Sequence, residues 1–289
     1  MKQYSYFPGC SLKASAVAYD LSVKAVSAAL GIELIELEDW NCCGTTVYSA
    51  IDRLEAICVP CRNLALAEKK GLDLVTPCSA CFRTLERVNS YLRLYPLLKT
   101  KVDKVLAAAG LEYHGKVKVR HLVDVLLNDV GVEAIESKVV NPLHGLKVAP
   151  YYGCLLVRPE VAFDDPENPQ SLDRLLESLG AEVVPFPAKN RCCGASLVIS
   201  NLDLALNLIL RILESAHSNG AECIVTACPL CQLSLDAYQG MVNRKFGTRY
   251  ELPVVFLSQL MGTALGLEPK ALGFDRGVVS PAKVLAPHL

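Results

Sequence analysis

The triplet Cys42-Cys43-Gly44 recurs 150 residues later as Cys192-Cys193-Gly194. The stretch Cys78-Ser79-Ala80-Cys81 recurs at the same offset as Cys228-Pro229-Leu230-Cys231, so both stretches contain a C-x-x-C pair. In each copy, 34 residues separate the second cysteine of the C-C-G triplet from the first cysteine of the C-x-x-C pair. Self-similarity at one fixed offset indicates a duplicated structural unit.

Each copy also begins alike, with a glycine and a cysteine after a short β-prone run, at Gly9-Cys10 and at Gly153-Cys154. The distance to the next cysteine differs, with 31 intervening residues in the first copy and 37 in the second. A short insertion at Arg158–Gln170, which is rich in Pro and Asp, accounts for the difference and predicts a surface loop. We place the boundary near Asn141-Pro142, which predicts domains at 1–141 and 142–289.

Composition limits the classes of function. The chain has 289 residues, 52% hydrophobic residues and a net charge of −1, so we expect real cores and no nucleic-acid partner. No apolar run reaches the length of a membrane span, and the N-terminus lacks the pattern of a secretory signal, so we expect a cytoplasmic protein. Thirteen cysteines in a reducing compartment favour metal or redox chemistry over disulfides.

Periodicity predicts alternating strands and helices. The predicted strands are Gln3–Phe7, Ile32–Leu37, Leu72–Thr76, Val117–Arg120, Lys147–Tyr151, Glu182–Phe186, Glu222–Thr226 and Pro253–Phe256. The predicted helices are Ala16–Leu30, Ile51–Lys70, Phe82–Ala109, Ser171–Leu179, Leu197–Ser218 and Gln232–Phe246. This order predicts an α/β fold of two pseudo-symmetric repeats, each a parallel sheet flanked by helices.

The repeated cysteines all fall between the end of a predicted strand and the next helix. The carboxyl edge of an open parallel sheet is where such positions meet and where ligands bind. We therefore expect two groups of candidate metal and cofactor ligands. They are Cys10, Cys42, Cys43, Cys78 and Cys81 in the first half, and Cys154, Cys192, Cys193, Cys228 and Cys231 in the second.

Several soft thiolates close together suit an iron–sulfur cluster, and free N–H groups at a helix N-terminus stabilise its negative charge. Pro229 fits the first position of such a helix. Five thiols per half exceed the four ligands of an ordinary cubane cluster, so the residues indicate an unusual cluster or a spare thiol. Structural zinc in one half is the alternative that the residues leave open.

Other residues carry weaker signals. Cys58 and Cys61 form a C-x-x-C pair that the second half lacks, and we interpret it, like Cys223, as structural. The histidines are scattered without ligand spacing, and no nucleotide-binding motif occurs. Lys189 and Arg191 flank the second C-C-G triplet and are candidate anchors for a substrate anion.

The complete pattern, with Gly-Cys, C-C-G and C-x-x-C in each half, resembles the CCG-domain signature of the B-type heterodisulfide reductase family (HdrB). The resemblance covers nearly the whole chain. It implies that all ten motif cysteines are ligands and that each half holds a noncubane [4Fe-4S] cluster with five cysteine ligands. In the methanogen enzyme, the disulfide of coenzyme M and coenzyme B binds between the two clusters.

The resemblance therefore predicts a catalytic iron–sulfur subunit that reduces, or reversibly forms, a disulfide of thiol cofactors. It also implies a C-type iron–sulfur subunit and an A-type flavin subunit as partners, since this chain has no flavin motif. The alternative is an electron-transfer subunit of a bacterial redox complex with no disulfide substrate of its own. The identity of the substrate stays open.

Overall fold

The computed structural model describes residues 2–45, 48–158 and 163–289. Within these residues the chain forms two four-stranded sheets. The strands of the first sheet are β1 (Lys2–Tyr6), β2 (Ile32–Glu36), β3 (Leu74–Thr76) and β4 (Val119–His121). Those of the second are β5 (Lys147–Tyr151), β6 (Glu182–Val183), β7 (Cys223–Thr226) and β8 (Val254–Phe256).

Both sheets are parallel throughout and have the same strand order, β2-β1-β3-β4 and β6-β5-β7-β8. In the first sheet, β2 lies on one side of β1, whereas β3 and β4 lie on the other side. The strand order therefore changes direction at β1, and in the second sheet it changes direction at β5. Such a reversal opens a crevice at the carboxyl edge, between β1 and β3 and between β5 and β7. The predicted α/β fold of two repeated parallel sheets is confirmed.

Helices connect the strands. In the first half they are Gly9–Leu12, Val17–Ala29, Tyr48–Ile51, Glu55–Lys70, Ser79–Leu94, Pro96–Ala108, Leu122–Val125 and Val132–Glu136, with a π-helical turn at Leu126–Val130. In the second half they are Gly153–Val157, Ser171–Ser178, Leu202–Ser218, Pro229–Ala237, Gln239–Phe246, Leu257–Ala264, Pro269–Leu272 and Ala282–Leu285. Short 3₁₀ turns lie at Ala195–Leu197, Phe274–Arg276 and Ala286–His288.

Some predicted helices were too long, for identifiable reasons. The predicted helix Phe82–Ala109 is two helices, because Pro96 forces Tyr95 before it out of the helical conformation, to φ −123° and ψ 86°. The helix predicted from Leu197 begins only at Leu202. The side chain of Asn201 caps it, accepting a hydrogen bond from the Leu204 N–H at 3.1 Å.

Alternate residues of the strands point into different cores. Tyr6 and Val75 belong to a central core built from both halves, whereas Phe7 and Leu74 belong to an outer core of the first half alone. The second half has a matching outer core around Ile209. Because the central core takes residues from both halves, the two sheets pack as one body. The domain boundary at Asn141-Pro142 stays a prediction.

The segment after the last strand of each sheet packs on the other half. The helix Leu257–Ala264 contacts Val17–Ala29, and the hydroxyls of Ser22 and Ser258 lie 2.7 Å apart in the buried contact. Reciprocally, the helix Val132–Glu136 contacts Ser171–Ser178. Because each half packs a helix on the other half, the carboxyl edges of the two sheets are held in a fixed relative position.

Two further regions lie outside the sheets. The C-terminal segment packs on the protein, since Leu285 is buried and the carboxylate of Asp236 accepts hydrogen bonds from the Val278 and Val279 N–H groups. The predicted insertion loop Arg158–Gln170 includes residues 159–162, which lie outside the described residues.

Among the described residues, no helix has the length and apolar character needed to cross a membrane.

Candidate functional site

The ten motif cysteines lie in two groups at the carboxyl edges of the two sheets. Cys10 and Cys154 stand in the first turn of the short helices that follow β1 and β5. The C-C-G triplets lie in the connections that leave β2 and β6, and the C-x-x-C pairs follow β3 and β7. In each group the C-x-x-C pair and the second cysteine of the triplet are buried, whereas the remaining two cysteines are partly or fully exposed.

The cysteines within each group touch one another. The Sγ atoms of Cys10 and Cys42 are 3.7 Å apart, and those of Cys193 and Cys231 are 3.6 Å apart. Further thiol contacts join Cys43 to both Cys42 and Cys81. The sulfurs thus converge as the parallel-sheet argument predicted.

One contact joins the two groups. The thiols of Cys78 and Cys228 interact across the boundary between the halves, and both are buried. Next to them, the hydroxyl of Ser79 donates a hydrogen bond at 3.3 Å to the carbonyl of Ala227. The two cysteine groups therefore meet at Cys78 and Cys228 across the pseudo-symmetric interface.

These contacts lower the pKa of some thiols and raise the pKa of their partners, such as Cys81, Cys154 and Cys231. The thiolate is the form of cysteine that binds metals. Hydrogen bonds from Cys42 and Cys81 lower the pKa of Cys43 to about 4. A hydrogen bond from Cys154 lowers the pKa of Cys192 to about 6. Hydrogen bonds from Cys231 and Cys78 lower the pKa of Cys228 well below its ordinary value. Each group thus contains at least one thiol biased toward ionisation.

Helix N-termini face both groups. Cys78 and Cys228 are the N-cap residues of the helices Ser79–Leu94 and Pro229–Ala237, and the second cysteine of each pair lies three residues further, in the first turn. Free N–H groups and the positive end of a helix dipole stabilise thiolates there. Pro229 occupies the first helical position, as predicted.

At two positions next to cysteine sulfur atoms, only glycine fits. Gly9 and Gly153 have φ of +73° and +67°, and a Cβ atom there would lie 2.9 Å from the Cys81 Sγ and 3.0 Å from the Cys231 Sγ. The glycines of the triplets contribute differently. The Gly44 N–H points at the Cys42 Sγ at 3.5 Å, and the Gly194 N–H points at the Cys192 Sγ at 3.4 Å. The first two glycines thus leave room for a sulfur atom, and the two triplet glycines direct an N–H group at one.

A cavity of about 310 Å³ opens beside the second cysteine group. All five motif cysteines of the second half line it: Cys154, Cys192, Cys193, Cys228 and Cys231. The facing wall comes from the first half, where Arg83 and Arg87 project from the helix Ser79–Leu94 and both are half-buried. We call it the central cavity. It offers thiols on one side and positive charge on the other.

His121 ends β4 beside the contact between the two groups, and it is fully buried. Its Nδ1 accepts a hydrogen bond from the Val123 N–H at 3.2 Å, so Nε2 carries the proton and faces the Ser79 hydroxyl at 3.5 Å. Burial lowers the pKa of His121 to about 4, which keeps the ring neutral at pH 7. A chain of hydrogen bonds therefore runs from Val123 through His121 and Ser79 to Ala227.

The structure gives the two proposed anchor residues different positions. The Lys189 Nζ donates to the Pro169 carbonyl and, at 3.3 Å, to the Asp173 carboxylate, and it lies over the ring of Tyr152. It therefore holds the fold together and does not line the central cavity. Arg191 is exposed and lines a second depression beside Cys154 and Cys192.

Sequence reasoning missed Arg83 and Arg87. A signal was present, because residues four apart share one face of a helix and this helix begins directly after Cys78. Outside the repeated motif, Cys58 and Cys61 lie in the outer core of the first half and Cys223 in the central core. Burial raises the pKa of both Cys61 and Cys223 to about 12, which fits the structural role predicted for them.

The donor set fits a thiolate-bound cofactor. The first group lies against a helix N-terminus and against a glycine that leaves room for a sulfur, and the second group repeats both features. Among the described residues, no set of three or more His, Cys, Asp and Glu side chains has the arrangement of a site for a single metal ion. That the ten motif cysteines hold a cofactor stays a prediction.

Comparison with known families agrees with this site. The cysteine-rich domain called CCG matches residues 4–86 and 148–236, which are the two repeats. The class is thus a tandem cysteine-rich domain protein.

Full-length relatives narrow the class. The chain is 34% identical over 291 residues to the B-type subunit of the ferredoxin/F(420)H(2)-dependent CoB-CoM heterodisulfide reductase of Methanosarcina acetivorans, covering 99% of this chain and 97% of that protein. It is 32% identical to a B-type heterodisulfide reductase-like protein of Archaeoglobus profundus, covering 93% of each. The chain belongs to the B-type heterodisulfide reductase family.

Two other similarities add information. The chain is 38% identical to the "8-methylmenaquinol:fumarate reductase membrane anchor subunit" of Wolinella succinogenes, over 98% of this chain and 99% of that protein. A solved structure of a hypothetical protein from Helicobacter pylori superposes with a TM-score of 0.78 at 16% identity. That match covers 96% of this chain and 52% of the other, so the chain spans about half of that protein, and it supports the fold alone.

Proposed function

We propose that this chain is the catalytic iron–sulfur subunit of a heterodisulfide reductase-like complex, which reduces or reversibly forms a disulfide of thiol cofactors. The observation that carries the proposal is the central cavity, where one cysteine group and two arginines of the other half face the same space. A second cysteine group is joined to the first through Cys78 and Cys228. Family membership supports the same reaction.

The cofactors proposed are two [4Fe-4S] clusters, of the noncubane type that five thiols per half suggest. Cys10, Cys42, Cys43, Cys78 and Cys81 would hold one, and Cys154, Cys192, Cys193, Cys228 and Cys231 the other. Bound clusters would supply electrons one at a time to the substrate disulfide. Zinc in one half is the minor alternative.

The side chains of this chain would bind and orient the substrate. Arg83 and Arg87 are positioned to attract an anionic arm of a thiol cofactor, since half-buried guanidinium groups interact strongly with carboxylate, phosphate or sulfonate groups. The disulfide would then lie toward the thiol side of the cavity. Reduction consumes two electrons and two protons and yields two thiols.

The electrons must come from other subunits. We propose a C-type iron–sulfur subunit as the direct donor, which an A-type flavin subunit would in turn reduce. A cytoplasmic location stays an expectation from sequence, and the relative named as a membrane anchor subunit points the other way.

A second candidate function is favoured by that same relative, which is a subunit of a fumarate reductase. In this alternative the chain passes electrons between partner subunits and takes no disulfide into the central cavity. The two candidates share the cofactors and differ in the substrate.

The deciding experiment starts with iron, zinc and acid-labile sulfide in anaerobically purified protein. About eight irons and eight sulfides per chain would establish two four-iron clusters. Cys42→Ala and Cys192→Ala should each lower the iron content, whereas Cys58→Ala, outside both motifs, should not. Zinc without sulfide would reject both redox candidates.

The second step separates the two redox candidates. Disulfides of anionic thiols are added to the reduced protein, and the paramagnetic signal of the clusters is recorded. A change that depends on the disulfide, together with turnover, supports the reductase. Fast electron transfer with no response to any disulfide supports the relay.

A further inference from the structure

A second depression, of about 570 Å³, shares Cys154 and Cys192 with the central cavity but has different walls. Its walls are the helix Leu202–Ser218 and the connection that leads to the second C-C-G triplet. Cys192 is exposed and Cys154 is partly exposed, so this depression leads from solvent to the second cysteine group.

The depression is lined by positive charge. Among the described residues, Arg158, Arg191 and Arg211 line it, and no described carboxylate does. We call these three residues the arginine face. All three are exposed. Glu167 lies 3.8 Å from Arg158 in a well-exposed pair, which contributes little neutralisation.

The first half has no equivalent of this face. By the spacing of the repeat, Ala14, Asn41 and Cys61 stand where Arg158, Arg191 and Arg211 stand in the second half. Asn41 donates its amide N–H groups to the carbonyls of Cys42 and Val59, and Cys61 is buried. The basic surface is therefore a property of the second half.

Two basic side chains near that edge of the first half are paired with acidic ones. Arg62 is bound to Asp39 and to the Asn41 side chain, and Lys13 pairs with Glu36 at 2.8 Å. Balanced charge of this kind gives no net attraction for a charged partner. The exposed cysteines of the two halves thus face electrostatically different surroundings.

We propose that the arginine face docks an acidic iron–sulfur electron donor, so that electrons enter the protein at the second cysteine group. This inference rests on the proposed presence of clusters. Each encounter delivers one electron, and two encounters supply the two electrons that reduce one disulfide with two protons to two thiols. Exposed arginines around an exposed ligand would steer an acidic partner to the position nearest the acceptor.

The exposure of these arginines separates them from the pair in the central cavity. Arg83 and Arg87 are half-buried and suit tight contact with a small anion, whereas the arginine face is solvated and suits long-range attraction. Steering of that type accelerates association and weakens strongly with salt.

The test uses the cluster-containing protein and, as donor, a reduced acidic bacterial ferredoxin in anaerobic stopped-flow measurements. Two charge-reversal variants are compared, Arg211→Glu and the double variant Arg191→Glu with Arg211→Glu. The matched control is Lys101→Glu with Lys104→Glu, an equal charge change on exposed positions of the first half. Iron content and cluster spectra must match the unmodified protein.

At low salt we expect the double variant to accept electrons about tenfold more slowly, the single variant to lie between, and the control to change little. The differences should disappear at high salt. Turnover with reduced methyl viologen, a small cation with a single positive charge, should not fall in any variant.

Equal rates in all proteins at low salt, or no electron transfer from the ferredoxin at any salt, would overturn the proposal. An unchanged electron-transfer rate with a raised KM for the disulfide would also overturn it and make the face a substrate site. Salt-dependent electron entry through this face without any disulfide turnover would leave the docking inference intact and reject the reductase function.

Discussion

In the first half β4 ends at His121, which lies opposite Thr76, and in the second half β8 ends at Phe256, opposite Thr226. Both rings pack against an aromatic residue nine positions after the first motif cysteine of the other half: Phe163 faces His121, and Tyr19 stacks on Phe256 at 4.0 Å. The packing scheme is the same, but only the histidine adds hydrogen bonds.

The same contrast recurs around the cysteines. On the helices that follow the C-x-x-C pairs, Arg83 and Arg87 correspond to Leu233 and Ala237 by the 150-residue offset. The thiols and their glycines are equivalent in the two halves, whereas the charged groups around them are not. The duplicated scaffold therefore holds two similar groups in different charged surroundings, and our proposals for substrate contact and electron entry rest on those differences.

The largest expected effect concerns the glycines that the halves share. Gly9→Ala and Gly153→Ala would each place a Cβ against the sulfur of a motif cysteine, so we expect each variant to lose about half of its iron and all turnover. Gly220→Ala is the matched control, because its φ is +77° and a Cβ there meets nothing within 4 Å. The control should lose about 1–2 kcal/mol of stability from backbone strain and keep its iron.

Iron and sulfide assays check this prediction. Full iron content in Gly9→Ala or Gly153→Ala would show that the sulfur contact is not limiting. Loss of all iron from either variant would show that the two groups assemble as one unit, through the contact of Cys78 with Cys228.

Much of this site could be predicted from sequence because the position of a cysteine after a predicted strand determines which edge of the sheet it occupies. Cysteines that follow parallel strands share an edge, so the repeat placed Cys10 near Cys42 and Cys193 near Cys231 without coordinates. The contact of Cys78 with Cys228 could not be predicted, since it depends on how the two sheets pack. The helix break at Pro96 was readable from local chemistry. The role of Lys189 was not, because its partner Asp173 lies in a different element.

The next effect tests the asymmetry of the central cavity. If Arg87 contacts an anionic arm of the disulfide, Arg87→Gln should raise KM about tenfold and leave kcat nearly unchanged, because a charge-assisted contact is lost. Arg93→Gln is the control on the same helix, where Arg93 instead pairs with Glu86 at 3.4 Å. Steady-state kinetics with an anionic disulfide measure both. An unchanged KM in Arg87→Gln would remove this residue from the substrate site.

His121→Phe would convert the end of β4 into a copy of the end of β8. The Val123 N–H would lose its acceptor in a buried position, so we expect the free energy of unfolding to fall by about 1–3 kcal/mol. His121→Asn should recover part of the loss, because asparagine is a good N-cap and His121 caps the helix Leu122–Val125. Denaturant unfolding measures both, and equal stability of His121→Phe and the unmodified protein would contradict the role of the cap.

The smallest effect is expected at a polar cluster of the first half. Apolar residues occupy the matching positions in the second half. The Asp129 carboxylate accepts hydrogen bonds from the Tyr4 hydroxyl and, at 2.8 Å, from Arg120. By strand register and spacing, Val148, Val255 and Ala264 occupy the three positions in the second half, all buried. Burial opposes the charge of Asp129, but the bonds from Tyr4 and Arg120 outweigh it and lower its pKa below the ordinary value.

A depressed carboxyl pKa stabilises the folded state above the unfolded pKa, about 3.9, and the contribution disappears as the pH falls through the lower folded value. Asp129→Asn should therefore cost about 1–2 kcal/mol at pH 7, and the difference from the unmodified protein should shrink in acid. Tyr4→Phe is the control, since it keeps the ion pair and should keep most of the acid dependence. Denaturant unfolding at several pH values measures this. A cost for Asp129→Asn that is the same at pH 7 and in acid would show that the carboxylate contributes through packing, as the apolar residues do in the second half.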